Sequence, residues 1–321
     1  MRRKISVGSK ALLVKDLLFV EGITRSGKFL LANILAGFKG VEPAQNPVLV
    51  QKIPIFARFG LIDRKTAEEF LKHEIDIYCY EMYIGRNLNH RLSDKSSIFN
   101  HPRHKEFLKR CLAPEGDVAV AKFYKERPYS SFIMHETMPF IDIYFNIFPK
   151  LKVVHIQRSP MDLVFSWYKR GYGRRLKNDP RFWAIPFEEG GKLFPWYVHP
   201  NQKEYFNLSE MDRVIFSIIS LLRLYKKGFS ALPAKNKKKI LSVRYEEIIR
   251  EPRNVINKIA AFLRRKPSPQ MPAILKRERL PNRAYFDSKD EKIAEIKKFA
   301  SPKYFRSLLK LQKEYSNIQK I

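Results

Sequence analysis

The chain has 321 residues, of which 45% are hydrophobic and 13% aromatic, and this is enough apolar material for a folded core. Its 62 Lys and Arg against 32 Asp and Glu give a formal net charge of +30, which indicates an anionic partner and says nothing about the fold. The only two cysteines, Cys79 and Cys111, exclude a disulfide framework and lack the spacing of a structural zinc site.

No apolar run in the sequence approaches the roughly 18 residues of a membrane-spanning helix. The N-terminus is basic, but Lys15 and Asp16 interrupt the apolar residues that follow before they reach the quality of a secretion signal. We therefore expect a soluble, cytoplasmic protein in a reducing compartment. The positive charge fits a nucleic acid, an acidic polysaccharide, a membrane surface or a polyphosphorylated nucleotide as the anionic partner.

The first predicted elements are a strand, a loop and a helix between Leu17 and Phe38. The first four residues form a continuous apolar run typical of a buried parallel strand, and the last ten have apolar residues at helical spacing. Between these two runs, Gly22 to Lys28 has the pattern G-x-x-x-x-G-K. Backbone N–H groups in such a loop favour an anion, and Arg25 and Lys28 add positive charge. The loop is predicted to bind phosphate.

The residue after Lys28 distinguishes two classes of phosphate loop. Nucleoside-triphosphate loops place Ser or Thr there to hold Mg²⁺, whereas this chain has Phe29. This difference weakens the triphosphate interpretation. The loop alone also leaves open a purely structural turn between a strand and a helix, so a second motif is needed.

The remaining elements are predicted from periodicity and from the positions of Gly and Pro. Residues 40–60 contain three prolines and are expected to be irregular, and residues 62–92 are expected to be helical. Further strands are predicted at 117–123, 131–134, 152–157 and 240–243, and further helices at 140–148, 211–226, 252–263 and, interrupted by Pro302, 291–321.

Strands that alternate with helices in this order predict right-handed crossovers and a parallel sheet. We predict one α/β domain over residues 1–321, with three α/β/α layers, a central, mostly parallel sheet and a P-loop-like strand-loop-helix. Residues 171–207, rich in Gly, Pro and aromatic residues, are predicted to form a lid or substrate insertion. Residues 289–321 are predicted to form a basic helical C-terminal segment.

A second anion site is predicted where the strand at 152–157 meets the next helix. Ser159 suits the N-cap of that helix, and the proline and aspartate that follow it suit the first turn. Ser166 lies two turns after Ser159 on the same face, so that Arg158 and Ser166 are placed to reach one anion near the helix start.

At these residues the chain resembles the sulfotransferases that use 3′-phosphoadenosine 5′-phosphosulfate. The 5′-phosphosulfate loop of that family has the pattern R-S-G-T-T after a strand, matched here by Arg25, Ser26 and Gly27. Its 3′-phosphate motif has the pattern R-x-P-x-D-x-x-x-S, matched by residues 158–166. A weaker similarity covers residues 243–263, so the resemblance extends from about residue 17 to residue 263.

The resemblance implies in-line transfer of a sulfuryl group from the nucleotide to a hydroxyl or an amine, with 3′,5′-bisphosphoadenosine as product and with no metal. It implies that Arg25, assisted by Lys28, stabilises the leaving phosphate, that Arg158 and Ser166 hold the 3′-phosphate, and that Tyr245 borders the nucleotide.

The chain departs from the family pattern directly after the loop glycine. The two threonines usual in the family are Lys28 and Phe29 here. The backbone of residues Ser26 to Phe29 would still cradle the 5′-phosphosulfate, but hydroxyl contacts are lost, and Lys28 offers a charge in their place.

Three residues are candidates for the base that accepts the proton of the acceptor. His135 follows a predicted strand, near the place of a catalytic histidine in cytosolic members of the family, and imidazole suits this task at neutral pH. Glu136 is its neighbour, and many carbohydrate-directed members use a glutamate. Glu42 resembles the glutamate that protein-tyrosine and some bacterial members place after the loop helix.

Two other classes of function remain open at this point: a P-loop kinase or NTPase that needs Mg²⁺ and ATP, and a non-catalytic protein that binds polyanions through its positive charge. No motif names the acceptor. A hydroxyl-bearing acceptor that is anionic or sugar-like is a hypothesis based on the charge alone, and no specific nucleic acid is implied.

Overall fold

The computed structural model describes residues 5–94, 96–101, 103–176, 179–180, 182 and 184–317. Its central sheet has four parallel strands in the order β2-β1-β3-β6. A separate antiparallel hairpin is formed by β4 and β5. The strands are β1 (Leu17–Gly22), β2 (Ser130–His135), β3 (Lys152–Gln157), β4 (Pro186–Glu189), β5 (Lys192–Pro195) and β6 (Ile240–Arg244).

The α-helices of the described residues surround this sheet. They are α1 (Lys28–Leu35), α2 (Val48–Arg58), α3 (Arg64–Tyr83), α4 (His104–Arg110), α5 (Asp117–Glu126), α6 (Ile141–Ile147), α7 (Pro160–Lys169), α8 (Gln202–Phe206), α9 (Glu210–Ala231), α10 (Ala234–Lys237), α11 (Tyr245–Arg250), α12 (Pro252–Leu263), α13 (Met271–Arg277), α14 (Lys289–Phe299) and α15 (Pro302–Asn317).

Alternate residues of the strands pack into two separate cores, one on each face of the sheet. Leu17 and Phe19 of β1 join the larger core with α2, α3, α6, α7 and α9. Leu18 and Val20 join the other core with α1, α12 and α13. Because successive side chains of a strand point to opposite faces, a strand covered by helices on both sides must be apolar throughout. The predicted three-layer α/β/α fold with a parallel sheet is confirmed.

Residues 40–60 contain a helix that the sequence analysis did not predict. Helix α2 includes Pro54, which cannot donate a backbone hydrogen bond to the carbonyl of Val50 four residues earlier. That carbonyl accepts instead from the hydroxyl of Tyr144, at 2.7 Å. A tertiary hydrogen bond therefore replaces the one that the proline removes, and the prediction of an irregular segment was wrong.

Residues 117–123 are also different from the prediction, because they form the first two turns of α5 and not a strand. The two buried residues of this helix, Ala119 and Phe123, lie four positions apart, which is the spacing of one helical face. The alternation of valine and alanine that resembled a strand lies mostly on the exposed side.

Two of the predicted long helices are shorter in the structure, whereas the helix predicted at 211–226 is the longer α9 (Glu210–Ala231). The helix expected at 62–92 is α3, whose N-cap Asp63 accepts a hydrogen bond from the Thr66 backbone N–H at 2.9 Å. The C-terminal segment divides at Pro302 into α14 and α15. Residues 171–207 contain the β4–β5 hairpin and α8. Among the described residues, no helix is both long enough and apolar enough to cross a membrane.

Candidate functional site

The loop from Gly22 to Lys28 joins β1 to α1 at the carboxyl end of the sheet, and Gly27 is the N-cap of α1. Gly27 has a φ of 103°, which L side chains rarely adopt. A Cβ atom at this position would lie 2.3 Å from the ring of Tyr245. Both the backbone conformation and the close ring therefore require glycine.

The side chain of Lys28 turns back onto the loop and holds its shape. Its Nζ donates to the carbonyls of Gly22, at 2.6 Å, and of Ile23, at 2.8 Å. Lys28 is only 3% exposed, and this burial lowers the pKa of its ammonium group to about 8. Lys28 also borders the cavity described below, so it lies between the loop carbonyls and the site.

Glu136 holds the other side of the same loop. This buried carboxylate accepts a hydrogen bond from the Thr24 backbone N–H at 2.6 Å, while the carbonyl of Thr24 accepts from the indole N–H of Trp167 at 2.8 Å. Burial raises the pKa of Glu136, although the nearby Lys28 acts in the opposite direction. Glu136 is therefore bonded to the loop backbone and does not line the cavity.

Glu21, at the end of β1, anchors the turn that follows Glu136. Its carboxylate accepts from the backbone N–H groups of Thr137 and Met138, at 3.2 and 3.1 Å, and from the hydroxyl of Tyr225 at 2.7 Å. Its other oxygen lies 2.6 Å from Nδ1 of His155. Burial raises the pKa of Glu21, but these partners outweigh it and the pKa lies below its ordinary value.

The second predicted motif lies directly beside the loop, because β3 is the neighbour of β1 in the sheet. Ser159 is the N-cap of α7, as predicted. Arg158, before this cap, donates from Nη1 to the carbonyl of Arg25 at 2.9 Å. Arg25 in turn donates from Nε to Oγ of Ser166 at 3.2 Å. The structure thus brings together residues that are more than 130 positions apart in the chain.

Two tyrosines hold the guanidinium of Arg158. Its Cζ lies 4.3 Å from the ring centroid of Tyr245 and 5.5 Å from that of Tyr285, which is within the range of cation–π attraction. The hydroxyl of Tyr285 is 3.3 Å from Nη2 of Arg158. Tyr245 follows β6, so it comes from the third strand-helix junction at this edge of the sheet.

The C-terminal helix α15 secures the start of α7. Oε1 of Gln312 accepts from the hydroxyl of Ser159 at 2.8 Å and from the backbone N–H of Met161 at 3.3 Å. Glu246 accepts from the Ser159 backbone N–H at 2.9 Å and from the Tyr315 hydroxyl at 2.6 Å. The position of Arg158 therefore depends on contacts from the end of the chain.

A cavity of about 780 Å³ opens over the loop. Among the residues that the structure describes, its lining carries six cationic and two anionic side chains, and Tyr172 and Tyr245 supply aromatic surface. The cationic residues are Arg25, Lys28, Arg158, Arg170, Arg175 and Arg279, and the anionic ones are Asp94 and Glu278. The excess of positive charge suits a small molecule with several negative charges.

His135 lines this cavity at the end of β2. Its Nδ1 lies 3.1 Å from Oε1 of Gln51, a residue of α2. Burial, followed by the charge of Lys28, lowers the pKa of the imidazole well below its ordinary value. The ring is therefore neutral at pH 7.

Glu42 lies apart from this cavity. It is 2% exposed and forms a two-oxygen ion pair with Arg110, at 2.5 and 3.2 Å. Its backbone N–H donates to the carbonyl of Tyr129. The structure thus brings His135 to the cavity and Glu136 to the loop, and it places Glu42 in a separate buried pair.

Two hydroxyls of the loop have no hydrogen-bond partner among the described residues. They are Oγ1 of Thr24 and Oγ of Ser26, both buried. A buried hydroxyl without a partner is costly, and Thr24 lines the cavity whereas Ser26 does not, so the Thr24 hydroxyl fits a ligand that supplies acceptor oxygens. Phe29 also lines the cavity and packs against the core on the α1 side.

Sequence reasoning missed several residues that line the cavity or contact its lining. Arg170, Arg175 and Arg279 lie outside the two motifs, and Gln51 lies in the segment expected to be irregular. The R-G-Y-G-R-R sequence at residues 170–175 was an available signal for Arg170 and Arg175, because a glycine-rich turn directly after a helix predicted to bind an anion stays near that anion. No comparable signal in the sequence marks Gln51.

A comparison with protein-family models identifies the family of this chain. A family model described as a sulfotransferase domain matches residues 67–307, which is three quarters of the chain. This range includes Arg158, Ser166 and Tyr245, and the loop from Gly22 to Lys28 precedes it. No curated protein sequence matches the chain.

Similar solved structures include three sulfotransferases. The sulfotransferase domain of the olefin synthase of Synechococcus PCC 7002 is 14% identical, with 98% of each chain covered and a TM-score of 0.46. The sulfotransferase domain from the curacin biosynthetic pathway is 11% identical, covering 80% of this chain and 77% of that one, with a TM-score of 0.41. A sulfotransferase from Alicyclobacillus acidocaldarius is 11% identical, covering 91% and 99%, with a TM-score of 0.37.

Proposed function

This chain belongs to the sulfotransferase domain family, and from that premise we propose that it transfers a sulfuryl group from 3′-phosphoadenosine 5′-phosphosulfate to an acceptor hydroxyl or amine. The observation that carries the proposal is the contact between the two anion-binding motifs. Arg158 is bonded to the Arg25 carbonyl, and Arg25 is bonded to Ser166, at the carboxyl ends of adjacent strands. A donor with phosphates at both its 3′ and 5′ positions needs two such sites side by side.

The residues present fit this nucleotide. The cavity has a volume within the range of small-molecule sites, and its lining is rich in arginine. The partnerless hydroxyl of Thr24 suits phosphate or sulfate oxygens as acceptors. Tyr245 and Tyr172 offer aromatic faces for a base.

We assign Arg25 and the backbone of residues 26–29 to the 5′-phosphosulfate, and Arg158 and Ser166 to the 3′-phosphate. The first N–H groups of α1 have no partner within the helix, so they suit the 5′ group. Tyr245 holds the guanidinium of Arg158 against its ring and borders the nucleotide. Lys28 shapes the loop from within through its bonds to two carbonyls.

When bound, the nucleotide would supply the sulfuryl group, and the bisphosphate product would carry the negative charge that develops as the sulfuryl group leaves. The chain's part is to place the acceptor in line, to neutralise charge with Arg25 and to accept one proton. We assign the role of proton acceptor to His135, because its neutral imidazole lines the cavity. Glu136 and Glu42, the other two candidates, are engaged by the Thr24 backbone and by Arg110.

For the acceptor we propose the side of the cavity formed by the insertion at 171–207. Tyr172 and Arg175 of this insertion line the cavity, as does Arg170 just before it. The nucleotide carries several negative charges of its own and balances much of the cationic lining. An acceptor hydroxyl on a sugar-like or anionic molecule stays within this proposal as a hypothesis.

Isothermal titration calorimetry with 3′,5′-bisphosphoadenosine in the presence of EDTA tests the donor site. We expect binding by the wild-type protein and about 10- to 100-fold weaker binding by Arg158→Ala, because hydrogen bonds to charged groups contribute about 1.5 to 3 kcal/mol. Arg253→Ala is the matched control, because Arg253 is exposed on α12 and does not line the cavity. This control should bind like the wild type.

Two further measurements separate the alternatives. Binding of ATP that requires Mg²⁺, without binding of 3′,5′-bisphosphoadenosine, would favour an NTPase and overturn the proposal. Retention of heparin binding with no effect of Arg158→Ala on any nucleotide would favour a non-catalytic polyanion-binding protein. Transfer of label from radiolabelled donor, across a panel of saccharide, phenol and amine acceptors, then identifies the acceptor class.

A further inference from the structure

Gln51 of α2 is the residue that holds His135 in place. Its side chain is 3% exposed, and its Oε1 accepts two hydrogen bonds from His135. One comes from the backbone N–H, at 2.8 Å, and the other joins Oε1 to Nδ1 of the imidazole, at 3.1 Å. The same atom therefore fixes both the backbone and the ring of one residue.

The orientation of the Gln51 amide is determined by its other neighbours. Its Nε2 lies 3.0 Å from the carbonyl oxygen of Pro47 and 3.3 Å from that of Ile133. It also lies 2.9 Å from Oδ1 of Asn46. The two carbonyl oxygens only accept, so the NH₂ group must face them. The backbone N–H of His135 only donates, so the oxygen must face His135.

This orientation decides which imidazole nitrogen carries the hydrogen. Since Oε1 of Gln51 is an acceptor, the adjacent Nδ1 of His135 must be the donor. In a neutral ring the other nitrogen, Nε2, is then the basic one. Burial and the charge of Lys28 lower the pKa of this imidazole, so the ring is neutral at pH 7. The assignment of the Nδ1–H tautomer therefore holds at this pH.

We propose that Gln51 is a positioning residue that fixes His135 as the Nδ1–H tautomer and so makes Nε2 the atom that accepts the proton of the acceptor. The inference rests on the proposed function for its catalytic part. In the step, the acceptor O–H or N–H bond breaks, and its proton forms a bond to Nε2. The electron pair left on the acceptor would form a bond to sulfur as the bond from sulfur to the bridging oxygen of the donor breaks, and the electron pair of that bond would leave with the 5′-phosphate. The resulting imidazolium keeps its Nδ1–H bond to Gln51.

The place of Gln51 follows from the edge of the sheet. Strand β2 is an edge strand, and the backbone of Gln45 pairs with it through bonds to Ser131 and Ile133. Beyond Gln45, the Gln51 side chain makes the equivalent hydrogen bonds to β2. Its NH₂ donates to the carbonyl of Ile133, and its Oε1 accepts from the backbone N–H of His135. An amide suits this position because one end must donate and the other must accept.

The first experiment reads the tautomer directly in the wild-type protein. Long-range ¹H–¹⁵N spectra of protein labelled at histidine distinguish a protonated from an unprotonated ring nitrogen, and His135→Asn identifies the signal by its loss. We expect Nδ1 protonated and Nε2 unprotonated at pH 7. A ring protonated at Nε2, or at both nitrogens, would overturn the inference whether or not any variant folds.

The second experiment separates positioning from folding. We expect Gln51→Leu to lower kcat by about 10- to 100-fold, as loss of an orienting partner does elsewhere, with the donor KM within about twofold of wild type. Its spectrum should show a mixture of tautomers. Gln51→Glu retains an acceptor oxygen for the Nδ1–H of His135 but loses the NH₂ that donates to the carbonyls of Pro47 and Ile133. We therefore expect it to restore the Nδ1–H tautomer and to recover part of the lost kcat.

The matched control is Asn236→Leu, because Asn236 of α10 is also a buried amide with a hydrogen-bonded side chain and lies outside both the cavity and the insertion at 171–207. It should keep the wild-type kcat. Equal losses in Gln51→Leu and Gln51→Glu, with an unchanged tautomer, would overturn the positioning role. If the wild type shows the Nδ1–H tautomer and transfers no sulfuryl group to any acceptor, the proposed function fails and the assignment of the ring stands.

Discussion

Gly27 shows how strictly the loop constrains a single residue. Alanine at this position requires a positive φ, which costs about 1 to 2 kcal/mol, and its Cβ would meet the Tyr245 ring 2.3 Å away. We expect Gly27→Ala to lower the free energy of unfolding by at least about 1 kcal/mol and to weaken the binding of 3′,5′-bisphosphoadenosine, since the displaced ring holds Arg158. Urea unfolding and calorimetry measure the two effects.

Gly8→Ala is the control for this prediction. No atom lies within 4 Å of the position that a Cβ on Gly8 would take, and its φ is not in the left-handed region. Stability and affinity of Gly8→Ala should equal those of the wild type. Wild-type behaviour of Gly27→Ala would show that the loop does not need this conformation.

The lowered pKa of Lys28 predicts how the free energy of unfolding depends on pH. Its pKa falls from about 10.5 in the unfolded chain to about 8 in the folded one, so the unfolded state binds more protons between these values. The free energy of unfolding should therefore rise with pH over this range. Relative to Lys28→Met, we expect the wild type to gain about 2 kcal/mol between pH 8 and pH 10. Urea unfolding of both proteins at several pH values measures the difference.

A pH-independent difference between wild type and Lys28→Met would contradict this prediction, since it would mean that Lys28 has the same pKa in both states. The comparison with a variant at the same site is necessary because tyrosines elsewhere in the chain also titrate at high pH. Their contribution is common to both proteins and cancels in the difference.

The identity of the site residues was easier to predict from the sequence than their contacts. The motif spacing singled out Arg25, Lys28, Arg158 and Ser166, and all except Ser166 line one cavity. The direction of the Lys28 side chain was not predictable, because two loop carbonyls compete with the anion for its ammonium group. Gln51 had no motif at all, since its role depends on a strand edge that forms only in three dimensions.

At the scale of elements, the junction of α15 with α7 predicts a long-range effect on the site. Gln312 lies 154 positions after Arg158 in the chain, yet it accepts from Ser159 and Met161 at the start of α7. We expect Gln312→Leu to lower the free energy of unfolding by about 1 kcal/mol and to weaken binding of 3′,5′-bisphosphoadenosine by about tenfold or less. Calorimetry and urea unfolding measure both effects.

Gln312→Glu provides the comparison, because it retains an acceptor oxygen for the Ser159 hydroxyl and the Met161 N–H. Its affinity should be closer to that of the wild type than the affinity of Gln312→Leu. If Gln312→Leu binds nucleotide as tightly as the wild type, α15 does not position Arg158 through the helix cap.

The predicted and observed elements differ where a tertiary contact overrides a local preference. Pro54 indicated an irregular segment, and the hydroxyl of Tyr144 compensates for the hydrogen bond that the proline removes. The valine and alanine alternation of α5 indicated a strand, whereas burial selects Ala119 and Phe123 on one helical face. The strands of the central sheet were predictable because each is apolar on both faces or ends at a motif.

For the molecule as a whole, the net charge of +30 predicts a strong dependence of nucleotide binding on salt. Increasing the ionic strength from 0.1 to 1 M shortens the Debye length from about 10 to about 3 Å, which screens charges beyond the direct contacts. We expect the affinity for 3′,5′-bisphosphoadenosine to fall by about tenfold over this range. Calorimetry at several salt concentrations measures the slope.

The variants Arg253→Ala and Arg158→Ala separate the effect of distant charges on the salt dependence of nucleotide affinity from the effect of a direct contact. Arg253→Ala removes one distant charge of many and should keep the wild-type slope. Arg158→Ala removes a direct contact, which salt screens much less, so this variant should bind more weakly at every salt concentration with a nearly unchanged slope. An affinity that does not change with salt would mean that the excess charge has no part in binding the nucleotide.

The strand order β2-β1-β3-β6 has a consequence for the way the protein matures. The loop after β1 is synthesised more than 120 residues before β3, and Tyr245 comes later still. Their contacts are of high contact order, and no short N-terminal fragment contains both proposed phosphate sites. We therefore expect the proposed donor to bind only the finished fold and to stabilise it by mass action, so that cells rich in the donor would also hold more of the protein in its folded form.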